Sequence, residues 1–178
     1  IIMEQKETRP IEEIAKEFVN VDTVEKDASK DKVVANVEEA IQGALDIIAE
    51  NISDEPKYRK KIKGICYREA VINVKASNPE EKSSYDMYND FNESIKRLPS
   101  HRILAINRGE KEDFLKVKID KPEEKILEYM ERDIIKGHTQ FEEYLKSTIE
   151  DSWKRLIEPS IDREIRSDLT EKAEEKAI

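Results

Sequence analysis

The fold class is indicated by the stretch Val37-Glu38-Glu39-Ala40-Ile41-Gln42-Gly43-Ala44-Leu45-Asp46-Ile47-Ile48-Ala49-Glu50. Its apolar residues recur at helical spacing. Asn36, just before it, can form a capping box with Glu39, in which each side chain satisfies a free backbone N–H. We therefore predict a helix over about residues 37–52. Gly43 inside this helix costs about 1 kcal/mol relative to alanine, which a close approach of a second helix would explain.

The composition excludes several classes of protein. The chain has 178 residues, of which 41% are charged, and a formal net charge of −9. This length fits one ordinary domain or two small ones. Four glycines are too few for a Gly-rich phosphate loop or a turn-rich β-sandwich. The single cysteine, Cys66, excludes an internal disulfide framework and a thiolate zinc site. No stretch of about 18 apolar residues occurs, so we expect a cytoplasmic protein without a membrane span.

Further helices are predicted by similar apolar stripes that follow start signals. One of these helices begins at Ser100 and is predicted to end at Arg108, with Gly109 as its C′ residue. The other start signals are Pro10, Pro56, Pro122 and Thr139, the last of which can form a capping box with Glu142.

One segment carries a strand signal instead. Residues 114–119 alternate apolar side chains with lysines, which is typical of a half-buried strand. A lone strand is not stable, so this one must pair with the β-branched segment 70–75 or with an edge from elsewhere. The fold class predicted is mainly α, a multi-helix bundle with at most one short strand pair at about 70–75 and 114–119. The spacing of Tyr85, Tyr88 and Phe91 predicts a short aromatic-faced helix.

The domain organisation is predicted to be a single helical region over residues 1–178, with a candidate subdivision near 76–98. The polar segment from Val21 to Lys32 is predicted to be a loop. Both ends look cut, because the chain opens at Ile1 and finishes in a charged helical run. We therefore expect a piece of a longer protein.

Two basic segments lie in this acidic chain. Residues 57–75 hold seven basic and one acidic side chain, and residues 95–118 hold seven and three. Such segments are either solvated helix faces or a local contact surface for phosphate or an acidic partner. The candidate nucleic-acid contacts are Lys60, Lys61, Lys63, Arg102, Arg108, Lys111, Lys116 and Lys118.

Nothing in the sequence predicts catalysis. The two histidines, His101 and His138, lack a carboxylate spacing that resembles a metal site. Cys66 lies on a predicted apolar face, where a buried structural thiol is expected. No Walker loop, dinucleotide fingerprint, nucleophile elbow or HExxH motif occurs. We therefore expect no enzyme, no metal and no cofactor.

Three ordered runs resemble a known family. The runs Val37–Glu50, Pro99–Ile119 and Trp153–Arg166 look like the Tex family of bacterial transcription accessory proteins. The resemblance extends from about residue 10 to the end of the chain. Two positions depart from the family pattern: the family usually has Arg where this chain has Leu45, and often has Gly where it has Asp113.

The resemblance implies a place within a larger architecture. Tex proteins are elongated, mostly helical and multidomain, with a ribonuclease-H-like domain generally lacking nuclease activity. Nucleic-acid binding is attributed chiefly to a C-terminal S1 domain. This chain resembles the helical region before the ribonuclease-H-like domain, which implies a scaffold that binds RNA or DNA weakly and has the transcription machinery as a possible partner. The alternative is a protein-interaction module that docks a basic transcription partner through the acidic faces of residues 1–56 and 119–178.

Overall fold

The structure is a computed structural model and describes residues 1–19 and 34–177. The loop predicted at Val21–Lys32 lies outside the described residues. The chain divides into two compact units, each built from two sequence segments. Unit 1 comprises Ile1–Glu55 and Leu127–Leu156, and unit 2 comprises Pro56–Ile126 and Ile157–Ile178.

The described residues form helices and a small sheet. The elements in chain order are α1 (Ile11–Lys16), α2 (Val37–Asp54), α3 (Pro56–Glu69), β1 (Val71–Ala76), a 3₁₀ turn (Asp86–Tyr88), β2 (Asp90–Ser94), α4 (Ser100–Lys111), β3 (Leu115–Asp120), α5 (Glu123–Ile134), α6 (Glu142–Asp151), a π-helical segment (Ser152–Ile157) and α7 (Glu158–Ala177).

Helix α2 of unit 1 begins as the sequence predicts. The Asn36 side chain accepts a hydrogen bond from the Glu39 N–H at 2.9 Å. The Glu39 carboxylate accepts from the Ala35 N–H at 2.9 Å and not from the Asn36 N–H, so the reciprocal half of the predicted capping box is shifted by one residue. The apolar stripe of α2 packs with α1 and α6, and the buried core of the unit includes Ile11, Ile14, Leu45, Ile48, Ile52, Phe141, Leu145, Ile149 and Trp153.

Two buried polar side chains fix the ends of elements in unit 1. The Gln5 amide donates to the Ile134 carbonyl at 2.7 Å and accepts from the Lys136 N–H at 2.7 Å, where α5 ends. The Ser152 hydroxyl donates to the Ala49 carbonyl at 2.7 Å. Each bond satisfies a polar group that burial would otherwise leave unpaired.

Unit 2 contains a three-stranded antiparallel sheet in the order β2-β1-β3. The prediction of at most one strand pair is therefore wrong, although β1 and β3 do pair, one of the two options that the sequence left open. Their register runs from Val71 opposite Asp120 to Ala76 opposite Leu115. The core of the unit lies between one face of this sheet and its helices and includes Ile62, Ile65, Ile72, Val74, Ile103, Ile106, Leu115, Ile119, Ile161 and Ile165.

The additional strand, β2, has a physical reason for escaping the sequence pattern. It is only five residues long, and none of its residues is fully buried. Its sequence therefore lacks the run of apolar residues that would predict a strand. It is stable because β1 pairs with it along its whole length, from Val71 opposite Ser94 to Lys75 opposite Asp90. The spacing of the aromatic residues predicts a helix here. In the structure, Tyr88 lies in the 3₁₀ turn and Phe91 lies on the strand.

Helix α4 runs three residues beyond its predicted end at Arg108. Gly109 lies inside the helix, where a Cβ would come within 2.4 Å of Leu115 Cδ1, so the glycine permits close packing of α4 on β3. The left-handed C′ position is occupied by Asp113, with φ of 65°. The Phe114 N–H donates to the Gly109 carbonyl at 2.9 Å and the Asp113 N–H to the Glu110 carbonyl at 3.1 Å, which completes a Schellman motif.

Candidate nucleic-acid interface

Part of the basic face of α3 contacts α7 within unit 2. Lys63 lies 2.9 Å from a Glu164 oxygen and 3.1 Å from an Asp168 oxygen. The Arg59 guanidinium donates to the Ser160 hydroxyl at 2.8 Å. Lys63 is therefore an internal partner of α7 rather than a free phosphate contact.

The α3–α7 contacts follow a regular spacing. The Tyr67 hydroxyl also donates to Asp168, so the three α3 residues Arg59, Lys63 and Tyr67 each meet a residue 101 positions later. Residues four apart lie on one helix face, so this constant offset shows two parallel helices in register. The hydrogen bond from Tyr67, with help from Lys63, lowers the pKa of Asp168. Burial and the same carboxylate raise the pKa of Tyr67.

Lys60 and Lys61 lie on the exposed part of α3. Lys61 interacts with another residue, whereas Lys60 makes no hydrogen bond or ion pair with a described residue. Lys57, Lys60 and Lys61 are all exposed, so the contacts with α7 leave part of the first basic segment as positive surface.

Arg102 also has a structural role. Its guanidinium lies 3.2 Å from a Glu93 oxygen and 5.4 Å from the centre of the Phe91 ring. Both partners are on β2, so Arg102 ties α4 to the edge of the sheet through an ion pair and a cation–π contact. Arg108 and Lys111, in contrast, are exposed in the last turn of α4, where the helix carbonyls favour cations.

A further positive surface of unit 2 is the solvent face of the sheet. Side chains alternate between the two faces of a strand, and the buried set includes Ile72 and Val74. The opposite face presents Lys75 from β1 with Lys116 and Lys118 from β3, and we call these three residues the lysine face.

Two lysines of the lysine face are paired with carboxylates of the same face, and the third is not. Lys75 lies 3.4 Å from an Asp90 oxygen and Lys118 lies 3.4 Å from an Asp120 oxygen, both at the margins. Lys116, directly opposite Lys75, has no ion pair within the described part of the chain. Cross-strand lysines repel each other, and an anion bound between them would relieve that repulsion.

The face can contact phosphates but offers little for reading bases. Its other side chains are Val71, Asn73, Asp90, Asn92, Ser94 and Asp120, as the register places them, and none of them is aromatic. Stacking on aromatic rings is the main attraction that single-stranded binders add to phosphate contacts. Contacts made here would therefore be weak, salt-dependent and insensitive to sequence.

The structure brings together only part of the predicted set. Lys116 and Lys118 share one face, Lys60, Lys61, Arg108 and Lys111 lie exposed on helices, and Lys63 and Arg102 are engaged in ion pairs. Lys75 was missed as a contact. Its signal was present in the sequence, since it continues the alternation of segment 70–75 on the side opposite Ile72 and Val74.

The side chains that could take part in catalysis or metal binding are arranged for stability. Burial raises the pKa of the Cys66 thiol to about 11, which disfavours the reactive thiolate. His138 Nδ1 lies 3.0 Å from a Glu142 oxygen on the surface. Within residues 1–19 and 34–177, no three His, Cys, Asp or Glu residues come together as a metal site. Over the same ranges, no helix combines the length and apolarity needed to cross a membrane.

This helical chain with its small, one-sided basic sheet belongs to the Tex family. The family model described as Tex central region-like matches residues 6–178. Protein YdcI of Bacillus subtilis, an uncharacterized protein, is 49% identical over 160 residues, which cover 88% of this chain and 22% of that relative.

More distant relatives carry descriptive names. S1 RNA-binding domain-containing protein 1 of Pongo abelii is 28% identical over 76% of this chain and 15% of the relative. Transcriptional accessory protein Tex of Neisseria gonorrhoeae is 25% identical over 82% of this chain and 20% of the relative. The chain thus spans about a fifth of the length of these curated relatives.

Proposed function

We propose that this chain is a scaffold segment of a Tex-like transcription accessory protein and that it contacts nucleic acid weakly through the lysine face. It holds neighbouring regions of the longer protein in place and catalyses no reaction. The observation that carries the nucleic-acid part is the opposition of Lys75 and Lys116 on a solvent-exposed sheet face.

We propose that the main nucleic-acid binding lies outside these residues. A relative is named for an S1 RNA-binding domain, and this chain corresponds to only 15% of that relative. We propose that such an S1 domain supplies most of the affinity, while the lysine face adds phosphate contacts. Three lysines suit this secondary role, since binding by phosphate contacts alone typically has Kd of about 10⁻⁴–10⁻⁶ M.

The alternative, docking of a basic partner through the acidic faces, has less support around α7. Four carboxylates of α7 are occupied inside unit 2: Glu158 and Asp162 by Lys121, and Glu164 and Asp168 by Lys63. Carboxylates paired in this way are less available to an external cation.

The test is fluorescence anisotropy of a labelled single-stranded RNA with the 178-residue chain, across salt from about 50 to about 200 mM. The variant Lys116→Ala/Lys118→Ala removes two lysines of the face, and Lys6→Ala/Lys16→Ala removes two exposed lysines of unit 1 as a matched control. Each lost phosphate contact lowers the slope of log K against log salt by about 0.7, so the sheet variant should lose about 1.4.

The control variant should bind RNA like the wild type. Equal binding by wild type and the sheet variant, at every salt concentration, would refute the role of the lysine face. Binding that resists salt and reaches nanomolar affinity would also contradict the proposal, because it would require base contacts that this face does not offer.

A further inference from the structure

An apolar groove lies between α1 and α2 in unit 1. Its volume is about 770 Å³, and among the described residues its lining is apolar except for one charged side chain, that of Glu39. Four of its residues are unusually exposed for their type: Ile1 at 48%, Met3 at 42%, Phe18 at 57% and Ile47 at 59%. Large apolar side chains gathered at one exposed site mark a binding surface more often than scattered ones do.

The groove suits a helix better than a small molecule. Small-molecule sites combine apolar walls with several converging polar groups that fix the orientation of the ligand, and this groove has only Glu39. An amphipathic helix needs only an apolar groove for its apolar side. On the α2 wall, a Cβ at Gly43 would meet no atom within 4 Å, so the space in front of this glycine is open.

The charge around the groove selects the kind of helix. Helix α2 carries five carboxylates and no lysine or arginine, and two of the five, Asp46 and Glu50, interact electrostatically with Arg155 of the same unit. Glu38 is exposed and makes no ion pair with a described residue. This negative surround attracts a cationic segment and repels nucleic acid, anionic lipid and a second copy of the same acidic groove.

We propose that the α1–α2 groove binds a cationic amphipathic helix of a partner protein. Apolar side chains of that helix pack against Phe18 and Ile47, and its lysines or arginines face the carboxylates of α2. The inference is independent of the lysine face, which lies in the other unit and attracts the opposite charge.

The probe is a fluorescein-labelled peptide with leucines on one helical face and lysines on the other. Its control is a scrambled peptide of the same composition, which keeps the charge but loses the apolar face. Both are titrated against the 178-residue chain. Binding of the amphipathic peptide should be at least about ten-fold tighter than that of the scrambled one.

Two variants, one on each wall of the groove, test whether the peptide binds there. Ile47→Glu and Phe18→Glu alter exposed side chains, so the fold should persist, as circular dichroism would verify. Each should weaken binding at least about ten-fold, as loss of a central apolar contact does. Met87→Glu, at an exposed methionine in unit 2, should bind like the wild type. Glu38→Lys should weaken binding and Glu80→Lys should not.

Three results would overturn the proposal. The scrambled peptide could bind equally well, which would leave only general charge attraction. Ile47→Glu and Phe18→Glu could leave binding unchanged. Sedimentation could show a dimer of the chain that Ile47→Glu dissociates, which would make a second copy the occupant.

Discussion

Lys75 and Lys116 lie directly opposite each other on β1 and β3, with both side chains on the solvent face of the sheet. Like charges in this position destabilise an antiparallel pair. Asp90 lies 3.4 Å from Lys75 and moderates the repulsion from one side only. The sheet thus keeps an unfavourable pair on the surface that we propose contacts phosphate, which suggests that its charge matters more for binding than for stability.

Replacing one of these lysines should separate stability from binding. We expect Lys116→Glu to raise the free energy of unfolding by about 0.2–1 kcal/mol, because a repelling cross-strand pair becomes an attracting one. RNA binding should fall. Lys118→Glu makes the same change of charge, but Lys118 lies opposite Asn73. This variant should therefore reduce RNA binding without raising the free energy of unfolding. Urea denaturation and anisotropy measure the two effects, and a loss of stability in Lys116→Glu would contradict the account.

Asp113 holds a backbone conformation that glycine adopts more easily. With φ of 65° at the C′ position of α4, its backbone is in the left-handed region, where a Cβ is strained. Asp113→Gly should raise the free energy of unfolding by about 0.5–1 kcal/mol, whereas Asp113→Ala should lower it. Thermal and urea unfolding would test this order, which would be wrong if alanine proved as stable as glycine.

Gly43 and Gly109 should respond oppositely to alanine. The expectation of a close helix approach at Gly43 is wrong, since a Cβ there meets no atom within 4 Å. Gly43→Ala should therefore stabilise the chain by about 0.5–1 kcal/mol through helix propensity. Gly109→Ala should destabilise it by about 1–3 kcal/mol, because its Cβ would overlap Leu115 Cδ1. Equal urea midpoints for the two variants would contradict this assignment.

Lys121 is the most buried cation of unit 2 among the described ion pairs, with its side chain 3% exposed. Its ammonium donates to Glu158 and Asp162, each at 2.7 Å, and to the Ile119 carbonyl at 3.2 Å. Burial alone would lower the pKa of Lys121, but the two carboxylates outweigh it and raise the pKa. The ammonium therefore stays charged and links β3 to α7.

Removing that ammonium should leave two neighbouring carboxylates without their shared cation. We expect Lys121→Met to lower the free energy of unfolding by about 1–3 kcal/mol, less than for a fully buried pair because Glu158 and Asp162 are partly exposed. Lys125→Met, which breaks an exposed pair with Glu69, should cost at most about 0.5 kcal/mol. Similar losses in the two variants, measured by urea denaturation, would contradict the structural role of Lys121.

Cys66 links stability to alkaline pH. Burial raises the pKa of its thiol from 9.0 to about 11 in the folded chain, against the Lys121 ammonium, which lowers the pKa, and with a smaller rise from the Glu158 carboxylate. The folded state then holds the proton more tightly than the unfolded state, so stability is full below about pH 9 and falls as pH rises from about 9 towards about 11. The loss should approach about 2 kcal/mol.

The matched variant is Cys66→Ala, which should show a shallower decline in urea midpoint over the same pH range. In the wild type, a thiol reagent at about pH 8 should react only as fast as the chain unfolds. Rapid labelling of the folded chain would contradict the buried position of Cys66.

Some of this architecture followed from local pattern. The stripe and capping box of α2 gave its start at Val37, and the alternation after Phe114 gave β3, because both signals are carried by residues close together in the chain. β2 could not be predicted in the same way. Its short polar sequence acquires strand structure only by pairing with β1.

The candidate interface was half predictable for a related reason. Positive charge marked both basic segments in the sequence, but charge alone does not reveal which lysines meet carboxylates. Lys63 pairs with Glu164, which is 101 residues away in the sequence, and Arg102 of α4 pairs with Glu93 of β2. Lys75 and Lys116 lie on different strands and far apart in the sequence. Only the register of the sheet brings them together.

The sequence by itself determined where most helices begin, the mainly helical character of the chain and its family resemblance, since these depend on short-range periodicity, caps and motifs. The tertiary structure alone decided which charges are free, that the sheet has a third strand, and that apolar side chains of α1 and α2 line an open groove. Those features depend on contacts between segments distant in sequence, whose energies no local pattern encodes.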